Sequence, residues 1–178
     1  MIVEIREAKP TFTIIGSLIA FVLQVAIAPN IAIFDAMPNF LLVFTVMNAM
    51  LTKKLRSCCT GFILGLLYDL LAQGALGIMS FVLTIIGYGV SSLNKDLFTS
   101  GWVAQAIFLL IASFFGELLH AVFLSILGYD TDFLASLWMR MLPRSIYDAL
   151  FGLIIFPLMD RFRGGPRKDS KALKGKFD

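Results

Sequence analysis

The amino-acid sequence predicts an all-α membrane protein, a bundle of six transmembrane helices with both termini in the cytoplasm. Hydrophobic residues make up 58% of the 178 positions, and the mean hydropathy is +0.86, far above the range of soluble domains. Several charge-free runs reach the ~20 residues that span a bilayer core. If six spans are assumed, 13 of the 15 lysines and arginines fall on one side of the membrane.

Six apolar segments are predicted to span the membrane, in order along the chain. They are 11–29, 38–52, 57–71, 75–93, 101–127 and 142–160. Residues 1–160 are therefore expected to form a single integral membrane domain, and residues 161–178 a basic cytoplasmic tail without fixed structure. A cleaved signal peptide is not expected, because the first apolar run is followed by Pro29 and further spans.

The loops on the two sides of the predicted bundle differ sharply in charge. The loops on one side hold three aspartates and no lysine or arginine: Asp35, Asp130 and Asp132. Arg140 and Arg144 are left over, one just before the sixth span and one inside it. The other side holds the turn at 53–56, Lys95, both termini and almost all lysine and arginine. Basic loops stay in the cytoplasm, so both termini are predicted to be cytoplasmic. The net charge of +3 comes largely from the tail and does not call for a nucleic-acid partner.

The third span carries the most informative pattern in the chain. Gly61, Gly65 and Asp69 are spaced i, i+4 and i+8, so a helix places all three on one face. Two small residues four apart let helices approach closely in lipid, whereas a carboxylate there needs a partner or a wet cavity. We interpret Gly61, Gly65 and the following Gly77 as a helix-packing or partner interface, which is favoured over a substrate site.

The fifth span carries Glu117 and the single histidine, His120, three residues apart. That spacing allows the two side chains to hydrogen-bond each other. Ionisable residues within a membrane are often functional, so a proton relay or ligand site is one interpretation. A mutually satisfied pair facing the bundle or another subunit is the other, and it is favoured.

Arg144 and Asp148 begin the sixth span, next to Pro143. Residues 133–142 are predicted to form an interfacial helix with Trp138 at headgroup depth, and Pro143 to mark the bend into the span. Arg144 is expected to pair with Asp148 or, across the bundle, with Asp69. Removing one member of a buried pair would be strongly destabilising.

The sequence offers no catalytic, cofactor or metal signature. Motifs for serine hydrolases, phosphate-binding loops, zinc proteases and dinucleotide enzymes are missing from it. Cys58 and Cys59 lack histidine neighbours and make a poor metal site. No catalytic residue, cofactor or metal ion is therefore expected.

One segment resembles a known family. The matching pieces are Pro38-Asn39 opening the second span, a basic turn, then Gly61-Phe62-x-x-Gly65-x-x-x-Asp69-Leu70, Leu76-Gly77 and an apolar span ending near Tyr88. In this order and spacing they are similar to the rod shape-determining protein MreD family, as is Leu23-Gln24 before Pro29. The family in turn resembles, in fold, the six-helix substrate-binding subunits of vitamin transporters.

The resemblance implies a non-enzymatic, multi-pass subunit of the cell-elongation machinery in the bacterial plasma membrane, supporting cell shape and lateral peptidoglycan synthesis. Its implied partners are MreC, the MreB filament, and RodA with its penicillin-binding partner, beside membrane lipid. The alternative is a substrate-binding subunit of a small-molecule transporter, which requires a polar cavity near Asp69, Glu117 or His120. A lipid-handling enzyme ranks last, because no nucleophile constellation is seen.

Overall fold

The structure is a computed structural model that describes residues 9–32, 36–72, 76–93, 102–128, 138 and 141–162. These residues form six α-helices and no strand, which confirms the all-α prediction. The helices are α1 (Pro10–Ala26), α2 (Phe40–Leu51), α3 (Lys54–Ala72), α4 (Ile78–Ser92), α5 (Trp102–Ile126) and α6 (Leu142–Phe162), with a 3₁₀ turn at Ala28–Ile31. Each helix coincides with a predicted span to within three residues at either end.

Helix α2 is the centre of the bundle. All 12 of its residues are buried, and it contacts each of the other five helices. At 1.5 Å per residue it is only about 18 Å long, shorter than the ~30 Å hydrocarbon core. Because α2 is surrounded by protein, lipid thickness does not set its length.

The described helices differ in length and only some are long enough to cross a membrane. Lys54–Ala72 and Val103–Ile126 are long and apolar enough to cross a membrane, and α1, α2 and α4 are shorter apolar helices. The exposed surfaces of the described helices carry many large apolar side chains, among them Leu18, Ile63 and Ile107. Such a surface suits a bilayer, where outward-facing apolar residues meet lipid.

Polar side chains define where α2 begins and how the preceding segment is held. Asn39 is the N-cap residue, and its side-chain oxygen accepts a hydrogen bond from the Leu42 N–H at 3.0 Å. Gln24 of α1 accepts from the Phe40 N–H at 2.8 Å. These acceptors satisfy amides that the first turn of a helix leaves without intrahelical partners.

Helices α3 and α4 form an antiparallel hairpin with almost touching backbones. A Cβ atom added at Gly61 would lie 2.4 Å from the carbonyl oxygen of Leu83, and one added at Gly65 would lie 2.4 Å from the Cα of Ser80. On α4, a Cβ at Gly87 would come within 2.9 Å of the Ser57 carbonyl oxygen. Glycine on both helices therefore permits an approach that no larger residue allows.

Some predictions concern residues that the structure does not describe. The basic tail lies outside the described residues from position 163 onward, and so does most of the predicted interfacial helix at 133–142. Trp138 is described and exposed. Pro143 lies in the first turn of α6, a position that a helix tolerates for proline.

Candidate functional site

Arg144 is the centre of a bonded group that we call the arginine cluster: Arg144, Glu117 and Tyr68. Its Nη2 donates to the Tyr68 hydroxyl at 2.6 Å, and its Nη1 donates to Glu117 Oε2 at 3.3 Å. Its Nε donates to the carbonyl oxygen of Met37 at 2.9 Å and lies 3.3 Å from Glu117 Oε1. The guanidinium also lies 5.9 Å from the centroid of the Tyr68 ring, within cation–π range.

The arginine cluster joins four parts of the chain. Tyr68 belongs to α3, Glu117 to α5 and Arg144 to α6, while Met37 precedes α2. The Glu117 side chain is 9% exposed and that of Arg144 is 20% exposed, so the pair is largely removed from solvent. A guanidinium with several fixed donors suits such a multi-point tie. The arrangement can hold helix ends together, with positive and negative charge balanced inside it.

Asp148 lies one turn along α6 and is fully buried. Its Oδ1 accepts from the backbone N–H of Asn39 at 2.7 Å, and its Oδ2 accepts from the Ser113 hydroxyl of α5. The carboxylate thus joins α6 both to α5 and to the start of α2. Buried carboxylates are tolerated when their oxygens are hydrogen-bonded in this way.

Asp69 ends the glycine face of α3 and is also buried. Its Oδ2 accepts from the Gly77 N–H at 2.9 Å, the Ser80 N–H at 3.1 Å and the Ser80 hydroxyl at 3.0 Å, and its Oδ1 accepts from the Met79 N–H at 3.1 Å. These amides belong to the beginning of α4. Asp69 therefore acts as a capping group supplied by the neighbouring helix, where negative charge is favoured.

The pairings predicted for Arg144 are wrong. It bonds Glu117 rather than Asp148 or Asp69, because Asp69 is turned toward the first turn of α4 and Asp148 toward α5 and the start of α2. The predicted hydrogen bond between Glu117 and His120 is not formed either. Glu117 bonds the Arg144 guanidinium instead, which offers a full positive charge and several donors. His120 is half-buried.

Gly77 also has a different role from the one predicted. Among the described residues, nothing lies within 4 Å of a Cβ built at this position, so Gly77 does not pack against a helix. It adopts a φ of 99° at the N-cap of α4, a left-handed conformation that glycine takes without penalty. That conformation directs its N–H at Asp69. Gly77 is therefore needed for its backbone conformation and not for helix packing.

Several partners could not be found from spacing along one helix. Tyr68, Ser113 and the carbonyl of Met37 come from separate elements, and each becomes a partner only through packing. A second buried chain of bonds crosses α2, in which Asn48 accepts from Thr13 of α1 at 2.9 Å and donates to Thr60 of α3 at 3.3 Å. The sequence signal for this chain of bonds is Asn48, an amide in the middle of a mostly apolar span.

Replacing Asp69 with alanine is expected to destabilise the α3–α4 hairpin by about 2 kcal/mol, the upper range for loss of a helix cap. In this variant three amides and one hydroxyl lose their acceptor. Asp69→Asn should retain part of the stability, because one acceptor oxygen remains. Thermal unfolding in detergent measures both variants. Ser80→Ala removes a single donor and serves as the control, with a loss of about 1 kcal/mol. A wild-type melting temperature for Asp69→Ala would exclude the capping role.

Comparison with known protein families gives a match over most of the chain. The family model described as rod shape-determining protein MreD matches residues 6–163, which include all six helices. No curated protein and no solved structure gives a significant match.

Proposed function

Because the chain belongs to the MreD family of rod shape-determining membrane proteins, we propose that it is a non-enzymatic scaffold subunit of the bacterial cell-elongation complex. In this role it spans the plasma membrane six times, binds MreC, and supports lateral peptidoglycan synthesis beside MreB, RodA and its penicillin-binding partner. The family match over residues 6–163 carries the cell-shape role.

The bonding of the charged residues supports a scaffold. Glu117 is bonded to Arg144, Asp148 to Ser113 and Asn39, and Asp69 to the start of α4. Each of these groups joins two or more helices, so the charges stiffen the bundle. A rigid bundle with an apolar exterior is suited to present a fixed surface to a transmembrane partner.

A substrate-binding subunit of a transporter would use the same residues differently. It would need Asp69 or Glu117 to face a polar cavity with bonding capacity left for a ligand. In the described part of the chain both carboxylates accept bonds from protein groups. No observation therefore favours the transporter role over the scaffold.

Photo-crosslinking in native membranes tests the proposed binding of MreC. A photoreactive residue is placed at one exposed position on each of the five helices around α2: Leu18, Ile63, Ile85, Ile107 and Ile154, which lie on α1, α3, α4, α5 and α6. We expect an adduct with MreC from one face and lipid adducts from the others. If all five positions yield lipid adducts alone in cells whose shape depends on this protein, direct transmembrane binding of MreC is excluded.

Reporter fusions test the proposed topology. Fusions placed at Asp35 and Asp130 should report an extracytoplasmic location, and fusions at Lys54 and Lys95 a cytoplasmic one, because the basic loops remain inside. A fusion at the C-terminus should also be cytoplasmic. An extracytoplasmic C-terminus would mean an odd number of spans and would overturn the six-span arrangement.

A further inference from the structure

An apolar groove runs along α2 between α1 and α6. Helix α1 packs on α2 and α3, while α6 packs on α5 and α2, so the first and last helices flank α2 and leave a slot between them. The empty space along the slot, including its open side, is about 620 Å³. Its walls include Phe12, Ile19 and Leu23 of α1, Phe44 and Met47 of α2, and Ile155 of α6.

The size of the groove indicates what it can hold. From Phe12 to Leu23 the α1 wall is about 16 Å long at 1.5 Å per residue. A transmembrane helix about 10 Å wide would need on the order of 1,000 Å³ over that length, more than the empty space of about 620 Å³ along the groove. A single hydrocarbon chain is narrow and flexible enough to enter. All ten lining residues are apolar, which suits such a chain.

One end of the groove lies beside a basic residue. Lys9 is the N-cap residue of α1, three positions before Phe12, and it is exposed. Helices α1 and α2 run antiparallel, so the turn after α2 lies at this same end of the bundle. Lys54 of that turn faces the Tyr88 ring of α4, a helix that does not line the groove. Within the described ranges, the Lys9 ammonium has no carboxylate partner. A phosphate at the mouth of the groove would meet positive charge.

We propose that the groove between α1 and α6 holds one acyl chain of an anionic glycerophospholipid, with the phosphate of the headgroup at Lys9. The apolar lining accounts for the chain, and the lysine accounts for a preference among headgroups. The lipid would fill the slot beside α2 and become part of the surface of the bundle. This site is separate from the arginine cluster and from the α3–α4 hairpin.

Native mass spectrometry of the full chain tests occupancy of the groove. The protein is equilibrated with phosphatidylglycerol or phosphatidylcholine of identical acyl chains, and retained lipid is counted. Ile19→Trp and Ile155→Trp fill the slot from opposite walls and should abolish the tightly retained lipid. Leu18→Trp and Ile154→Trp add the same side chain at neighbouring exposed positions and should leave retention unchanged. Melting temperatures confirm that each variant is folded.

Charge reversal tests the headgroup contact. Lys9→Glu should lower the preference for phosphatidylglycerol about five-fold, the factor expected from one lysine near an anionic leaflet. Lys54→Glu is the matched control, since its Nζ lies 5.5 Å from the Tyr88 ring, on a helix that does not line the groove. Unchanged lipid retention in Ile19→Trp and Ile155→Trp would overturn the proposal. An unchanged preference for phosphatidylglycerol in Lys9→Glu would also overturn it. Loss of a co-purifying single-span protein with lipid retention intact would assign the groove to a partner helix instead.

Discussion

Gly65→Leu is expected to cost at least about 3 kcal/mol of bundle stability, the top of the usual range for overpacking. A Cβ at this position would lie 2.4 Å from the Cα of Ser80 and 2.5 Å from the carbonyl oxygen of Met79. Both are backbone atoms, so no side-chain rotation can relieve the overlap and α4 must move away. Even Gly65→Ala should destabilise. Thermal unfolding in detergent measures the loss, and rescue of a cell-shape defect measures its consequence.

Gly89 provides the matched control on the partner helix. Nothing described lies within 4 Å of a Cβ built there, so Gly89→Ala and Gly89→Leu should retain wild-type melting temperature and shape rescue. Movement of α4 at Gly65 would also displace Ser80 and its bonds to Asp69. Should Gly65→Leu melt like the Gly89 variants, the close contact between α3 and α4 does not exist.

Arg144→Ala is expected to cost about 3 kcal/mol, the lower end of the range for breaking a buried ion pair. The lower end applies because the Arg144 side chain is 20% exposed. The substitution leaves the Glu117 carboxylate without its cation and removes donors from Tyr68 and the Met37 carbonyl. Arg144→Lys should restore only part of the loss, since an ammonium lacks the planar fork of a guanidinium. Chemical or thermal unfolding of the detergent-solubilised protein provides the measurement.

A double-mutant cycle identifies the partner of Arg144. Combined with Glu117→Gln, Arg144→Ala should show a coupling of about 1–2 kcal/mol, because the two side chains share an ion pair. Combined with Asp69→Asn, the two losses should add to within about 0.5 kcal/mol, because no bonding partner is shared. Lys54→Ala removes an exposed charge over the Tyr88 ring and should cost at most about 1 kcal/mol. Coupling to Asp69 with additivity at Glu117 would reverse the assignment.

The helices themselves were predictable because they depend on local composition. Long apolar runs separated by charges, prolines and glycines mark where a helix can lie in a bilayer, and all six observed helices lie where these runs occur. The packing of Gly61 and Gly65 was predictable for the same reason, since a fixed spacing of four determines a helix face before any partner is known. Gly77 was misassigned because a glycine after a helix can serve either close packing or a left-handed turn.

The charged residues show what the tertiary structure decided. The sequence by itself determined the helical class, the positions of the helices, the glycine face of α3 and the need for partners at Asp69, Glu117, Arg144 and Asp148. It could not determine which partners these are, because opposite charges and free amides compete for each carboxylate and the choice depends on helix rotation. Asp69 bonds the amides of α4 while Arg144 crosses to Glu117 and Tyr68. Packing of the other helices around the buried α2 sets their rotations. Side chains that are far apart in sequence thereby come within hydrogen-bonding distance.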